Sequence, residues 1–288
     1  MKLSCTQENL EQALAITSRV STKHANLPIL DNILLQATDS GLQFTATNLE
    51  ILVTCSARGK VEQEGEYTVP SKLFHDFVNL LPNERVDIDL HDDALAVTCG
   101  NAKTTLKGIP AGDFPLIPEL VDGAEFGVSV SDFQQSISKV VFAAATNESR
   151  PELAGVSMVF NHPDEGEGSL VVAATDSYRL GEISTKLSSG PKEEMRVIVP
   201  QRTLAEMLRI ISVFKDTVEA PAALTIQISE GQVAFKYASV TLISRVIDGV
   251  YPDYRQIIPG ATRTQVMMEK KALEFGKLLR PVTTPTKA

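Results

Sequence analysis

Hydrophobic and polar positions alternate along most of this chain, and in each half the alternation gives way twice to helical spacing. Residues 1–5 alternate as a strand. Residues 8–20 carry Leu10, Ala13, Leu14 and Thr17 three and four positions apart, which predicts a first helix. Residues 33–36 and 42–47 read as a hairpin around Asp39-Ser40-Gly41. Residues 51–57 and 66–69 add strands. Ser71 is placed to cap a second helix over 72–81, with an apolar face of Leu73, Phe77, Leu80 and Leu81 widened by Phe74 and Val78. Three further strands follow at 86–90, 94–99 and 104–108.

The second half repeats this order. Residues 126–130 form a strand, and Ser131 is placed to cap a helix bearing Phe133, Ile137, Val140 and Val141. Residues 158–161 and 170–174 pair across a loop rich in glycine and acid. Pro200 opens a helix with Leu204, Met207, Leu208 and Ile211, a first-turn position that suits proline. Residues 233–237 and 241–246 end the sheet.

Short motifs make the duplication explicit. Leu42-Gln43-Phe44-Thr45-Ala46-Thr47-Asn48 returns as Leu170-Val171-Val172-Ala173-Ala174-Thr175-Asp176. Tyr67-Thr68-Val69-Pro70 returns as Val197-Ile198-Val199-Pro200, and Asp113-Phe114-Pro115 answers Val250-Tyr251-Pro252-Asp253. A unit this long is a domain, because solenoid repeats run only about 20–50 residues. The expected class is α+β: tandem domains over 1–118 and 124–255, each with two helices packed on one face of antiparallel sheet. Val266-Met267-Met268-Glu269 and the stretch 271–279 begin the pattern a third time, so 256–288 reads as the start of an incomplete third domain.

Composition narrows the function. The 288 residues carry a net charge of −9, but the last 33 hold six Lys and Arg against two Asp and Glu, so the tail differs in kind from the repeats. Placement of charge decides nucleic-acid binding more than its sum does. The opening residues lack the long apolar core of a secretory signal, and no apolar run reaches the roughly 18 residues of a membrane span. Three cysteines at no metal-ligand spacing read as buried, reduced thiols of a cytosolic protein. Phosphate-loop, dinucleotide, zinc-protease and nucleophile-elbow motifs are absent from the sequence. The cluster Asp87-Ile88-Asp89-Leu90-His91-Asp92-Asp93 lacks the Gly and Glu that a calcium loop needs at its sixth and twelfth positions, where it has Asp92 and Thr98. It reads as a strand ending in a polar turn. No catalytic residue, metal or cofactor is expected, and duplication points to a surface rather than a reaction centre.

The ordered motifs resemble the β sliding clamp family of bacterial DNA polymerase III. They are Leu27-Pro28-Ile29-Leu30, Ala46-Thr47-Asn48-Leu49-Glu50, Ile109-Pro110-Ala111-Gly112-Asp113-Phe114-Pro115, Ala174-Thr175-Asp176-Ser177-Tyr178-Arg179-Leu180 and Tyr251-Pro252-Asp253-Tyr254-Arg255. The resemblance implies tandem DNA-clamp domains, three per chain, two chains closing into a homodimeric ring with helices lining the hole. It implies a cytoplasmic processivity factor that tethers the replicative polymerase to duplex DNA and recruits the clamp loader and repair proteins. An alternative is a non-ring fragment or paralogue that binds clamp partners without encircling DNA.

A ring that slides must hold phosphates without reading bases, which is work for Lys and Arg on helices and adjacent loops. The implied candidates are Lys23, His24, Lys72, Lys139, Arg202 and Arg209, with His24, Asn147 and Arg150 at the rim. Glu206, four residues after Arg202, is expected to pair part of that charge. The resemblance also implies a peptide pocket, whose half here maps onto Leu153, Thr175, Ser177, Tyr178, Arg179, Leu180, Pro252, Gln256 and Ile257. Its dimer edge maps onto 103–108, with Leu106 directed at the partner. With the third domain only begun, a monomer or weak oligomer is expected.

Overall fold

The computed structural model describes residues 1–21, 27–118, 123–146, 150–215 and 220–258, together with 260, 264, 267, 269 and 271. Met1–Tyr251 form one compact unit and Pro252–Ala288 a second.

The first repeat runs β1 (Lys2–Thr6), α1 (Gln7–Thr17), β2 (Asn32–Thr38), β3 (Gly41–Thr47), β4 (Ile51–Ala57), β5 (Gly59–Gln63), β6 (Gly65–Pro70), α2 (Ser71–Asn79), β7 (Arg85–His91), β8 (Ala94–Cys99) and β9 (Ala102–Lys107). The second runs β10 (Ala124–Ser129), α3 (Val130–Val140), β11 (Gly155–Phe160), β12 (Ser169–Thr175), β13 (Leu180–Ser189), β14 (Met195–Pro200), α4 (Gln201–Val213), β15 (Ala223–Ser229), β16 (Gln232–Tyr237) and β17 (Val240–Arg245). The pairing scheme is the same in both. β2 lies between β3 and β6 as β11 lies between β12 and β14, and β1 pairs β7 as β10 pairs β15. Strand β13 does the work of both β4 and β5. It pairs β12 through Leu180–Lys186 and reaches β10 only at Leu187 and Ser189.

Strand alternation supplies the core. Phe44 and Ala46 on β3, Val53 and Cys55 on β4 and Ile33 and Leu35 on β2 meet Leu10 and Leu14 of α1. In the second repeat Val172 and Ala174 on β12 and Ile226 on β15 meet Phe133 and Ile137 of α3 and Leu204 and Met207 of α4. The two repeats join because β17 pairs antiparallel with β4, Leu242 opposite Val53 and Ile243 opposite Leu52. This merges twelve strands into one sheet, with Leu52, Ala234 and Ile243 closing a small apolar seam.

Several local expectations are corrected. Ser71 does not cap α2: Pro70 holds the cap position, and the Ser71 hydroxyl bonds that of Ser21. The buried residues of α2 are Ser71, Phe74 and Val78, with Leu81 buried just past its end, while Leu73 and the C-cap Leu80 are 57% and 84% exposed. Four apolar residues in nine leave more than one possible stripe, and packing chose the one through Phe74 and Val78. Ser129, not Ser131, caps α3, its hydroxyl accepting from the Asp132 amide at 3.2 Å. Leu106 is 3% exposed and belongs to the core, so it does not point at a partner. The acidic cluster is β7 and a tight hairpin in which Asp92 and Asp93 both take positive φ, 48° and 56°, as a two-residue turn of this hand requires. Strands β5, β13, β14 and β15 escaped the sequence reading. The start of a third copy, at Val266–Glu269 and 271–279, lies almost wholly outside the described residues.

Candidate functional site

Between β12 and β13 the chain reverses over Thr175-Asp176-Ser177-Tyr178-Arg179, and polar side chains fix that reversal. The Thr175 hydroxyl donates to the Arg179 carbonyl at 2.8 Å and accepts from the Ser177 amide at 3.1 Å. Asp176 Oδ1 accepts from the amides of Tyr178 and Arg179, each at 3.0 Å, and its Oδ2 takes Arg179 Nε at 2.9 Å. Short hydroxyl and carboxylate side chains compete for backbone donors in this way, which is why such residues favour turns. Ser177 takes φ 75°, tolerable because the bonds on either side determine it. The Tyr178 amide, then Arg179, hold the Asp176 carboxyl below its ordinary pKa.

The turn stands beside a 3-10 segment, Pro151–Ala154, preceded by Arg150. Together they border a concavity of about 450 Å³ with Leu153, Ala144 and Ala145 inside and Arg150, Tyr178 and Arg179 around it. Leu153 is buried and its carbonyl accepts from the Ala145 amide at 2.8 Å. Arg179 lies over the Phe142 ring, 5.6 Å from its centre, a cation–π distance. Phe142 is 55% exposed and Tyr178 99%. A fixed backbone therefore presents two large aromatic side chains to solvent.

Of the expected peptide residues, Leu153, Ser177, Tyr178 and Arg179 line this cleft. Thr175 and Leu180 stand behind it, Thr175 anchoring the turn and Leu180 opening β13. The Thr175 amide donates to the Tyr251 hydroxyl at 3.0 Å, which ties the turn to the end of the repeat. Pro252, Gln256 and Ile257 belong to the second unit. There Tyr254–Ile257 form a 3-10 turn, Gln256 bonds Asp253 at 2.8 Å and Ile257 is exposed. The sequence reading missed Phe142, Ala144, Ala145 and Asp176, and it assigned Arg150 to DNA alone. The repeated Thr-Asx pair signalled Asp176; the other three carry no pattern of their own.

Among the expected phosphate contacts, Lys72, Lys139, Arg150 and Arg202 are exposed, and none pairs with a carboxylate among the described residues. Lys23, His24 and Asn147 lie outside the described residues. Arg209 is different. Its head is only 19% exposed, and it, not Arg202, pairs with Glu206, at 2.5 Å. The Glu206–Arg202 pairing is thus corrected.

The first repeat carries the same turn. Thr47 donates to the Ile51 carbonyl at 3.0 Å and accepts from the Leu49 amide at 3.0 Å; Asn48 Oδ1 accepts from Glu50 and Ile51 at 3.0 and 2.8 Å. Leu49 takes φ 74°, matching Ser177. Two repeats with one topology, helices on one face of the sheet, and one bonded turn at the same strand end define a class of duplicated α+β proteins.

Known proteins agree. Family models of the DNA polymerase III beta subunit match residues 1–118 as its N-terminal domain and 127–253 as its central domain. The Beta sliding clamp of Synechococcus elongatus is 32% identical over 278 residues, 95% of this chain and 72% of that protein. Caulobacter crescentus pol III beta superposes with TM-score 0.82 at 31% identity, covering 91% of this chain and 70% of that one. A Pseudomonas aeruginosa sliding clamp (DNA polymerase III subunit beta) bound to griselimycin does so at 0.82 and 27% identity, covering 91% and 69%. This chain belongs to the β sliding clamp family, the beta subunits of DNA polymerase III. No helix among the described residues is long and apolar enough to cross a membrane.

Proposed function

We propose that this chain works in the cytoplasm as a processivity clamp, divided into clamp domains at 1–118 and 124–255 with a third beginning at 256. It tethers the replicative polymerase to duplex DNA, as one half of a homodimeric ring, and catalyses nothing itself. Lys72, Lys139, Arg150 and Arg202, with Lys23, His24 and Asn147, hold phosphates without reading bases. Leu153, Thr175, Ser177, Tyr178, Arg179 and Leu180, with Pro252, Gln256 and Ile257, take short peptides from the polymerase, the clamp loader and repair proteins.

One observation carries this reading: a turn whose backbone is bonded at every step, yet whose Tyr178 side chain stands in solvent beside a cleft floored by Leu153, Ala144 and Ala145 and rimmed by polar groups. Exposed apolar groups on an ordered backbone mark a docking site, and a cleft with a few polar groups on its rim suits a peptide end.

The test measures binding of the full chain to two duplexes of unrelated sequence across a salt series. Equal affinities are expected, falling linearly in log–log form with salt. Converting Lys72 and Arg202 to Glu should weaken binding and lower the slope by about 2, roughly one for each lost phosphate contact. A double variant that binds as the parent does would remove these helices from the DNA surface. In parallel, a short peptide ending in apolar residues should perturb the amides of Leu153 and Tyr178; perturbations confined elsewhere would remove the cleft.

A further inference from the structure

Arg209 was expected on the DNA face, but its surroundings assign it another task. α1 ends with its last carbonyls needing partners, as every helix does. The Leu14 carbonyl accepts from the Ser18 amide and the Thr17 carbonyl from the Val20 amide. The carbonyls of Ala15 and Ile16 are taken by Arg209, Nη1 to Ala15 at 2.9 Å and Nη2 to Ile16 at 2.6 Å. Arg209 sits on α4, in the other repeat, nearly two hundred positions along the chain. The last turn of α1 has no basic residue of its own, so the cation that suits a helix C-terminus comes from across the junction.

The rest of the guanidinium is also committed. Glu206 accepts from Nε at 3.0 Å and from Nη2 at 2.5 Å, holding the head in one plane and neutralising it where it is mostly buried. Arginine alone offers donors in enough directions for a carboxylate and two carbonyls together.

The duplication supplies an internal control. Helices α2 and α4 each begin directly after a proline, Pro70 and Pro200, so Asn79 is the counterpart of Arg209 and Asp76 of Glu206. Asn79 is exposed. Helix α2 packs on α1 within its own repeat, whereas α4 reaches α1 from the other repeat. The arginine therefore appears in the copy whose helix crosses the junction, and its counterpart is a short neutral side chain.

We infer that Arg209 is a positioning residue that sets the angle between the first two clamp domains. Among the described residues the junction is attached on opposite sides of the core. The β4–β17 ladder fixes the sheet side, and a ladder alone behaves as a hinge line. The Arg209 fork fixes the helix side, so the pair together holds the curvature that presents α1 and α4 to one lumen. This rests on the clamp reading for its purpose, though not for its geometry.

The test is a distance measurement on the full chain. Spin labels at D76C on α2 and Q135C on α3, both exposed, report across the junction, while the native thiols are buried. The parent should give one narrow distance. R209A should move that distance, or broaden it, by more than the parent's own width, with circular dichroism and amide spectra of each repeat retained. R209K, which can serve only part of the constellation, should fall between. If R209A lowers thermal stability and leaves the distance unchanged, Arg209 is a stabilising contact only and the inference fails. Should R209A not fold, R209K against the parent decides by the same comparison. DNA binding by the parent tests the clamp reading separately, since a shifted distance without DNA binding would keep the strut and lose the ring.

Discussion

Replacing Tyr251 by Phe removes one oxygen from behind the cleft and changes little else. The ring keeps its volume, so no cavity term enters of the kind that accompanies larger truncations. What is lost is the acceptor for the Thr175 amide, 3.0 Å away, at a residue that is itself buried. A typical hydrogen bond contributes about 1 kcal/mol net, but a buried donor left unsatisfied costs about 1–3 kcal/mol. The larger range applies here, because Thr175 has no route to water in its place in β12. In a protein of this size that lowers Tm by roughly 2–4 °C per kcal/mol. A duplicated chain need not unfold in one step, so amide exchange at Thr175, Ser177 and Tyr178 is the sharper assay. Exchange there should accelerate by roughly tenfold for each 1.4 kcal/mol, the free energy of a tenfold change in an equilibrium constant, while the counterpart turn at Thr47–Ile51 stays unchanged. Tyr178→Phe is the control, since that ring is fully exposed and surface changes stay within about 0.5 kcal/mol. If Tyr251→Phe matches Tyr178→Phe in both stability and exchange, the hydroxyl does not hold the turn.

The Asp176 carboxyl, depressed by the Tyr178 amide first, should remain ionised as pH falls through the ordinary range near 3.9, as its carbon shift will report. Its contribution is present above the unfolded pKa and lost only as pH falls through the lower folded value; a titration at or above the ordinary value refutes the bonding. Asp176→Asn should keep the turn, because Asn48 does the same work in the first repeat. Phe133→Ala, removing a buried ring 5.8 Å from Phe235, should cost about 3–5 kcal/mol in urea unfolding, and a loss under about 1 would mean the site collapses freely. Burial raises the thiols, Cys5 to about 12 and Cys55 to about 11, so neither should react with a thiol reagent at mild pH until the chain unfolds. Because these values are raised, stability should hold below the unfolded pKa of about 8.5 and decline as pH climbs above it toward the folded values.

The fold was legible where burial obeys a simple period. β3 and β12 alternate, and their motifs are nearly copies, so both the strands and the duplication could be read. Strand β5 could not, because four of its five residues are exposed and the single apolar Val61 sets no alternation. The face of α2 was misread because Leu73 and Leu80 are apolar yet turned outward, and periodicity cannot say which of two stripes meets a core. The turn at Thr175 was found through its repeated Thr-Asx pair, a local signal with local chemistry. Phe142 and the Arg209 fork could not be found that way. Each depends on segments distant in sequence, and an arginine's partners are set by where α4 meets α1.

The two copies of the turn also differ in what lies beside them, and that difference says how duplication makes an assembly. In the first repeat the strand after the turn, β4, has β3 on one side and β17 on the other. Its counterpart, β13, pairs β12 through Leu180–Lys186 and meets β10 at Leu187 and Ser189. The stretch Leu180–Thr185 is the counterpart of the edge that β4 offers to β17. An unpaired edge presents a row of backbone donors and acceptors that a further strand can satisfy. A contact between unlike ends of successive units is heterologous, and its repetition closes a ring when the rotation per unit allows. On the inference drawn for Arg209, the β4–β17 ladder and the Arg209 fork jointly fix the angle per unit. The same edge lies next to the cleft of Tyr178 and Leu153. On the clamp function proposed above, ring geometry and partner recruitment meet at one strand end.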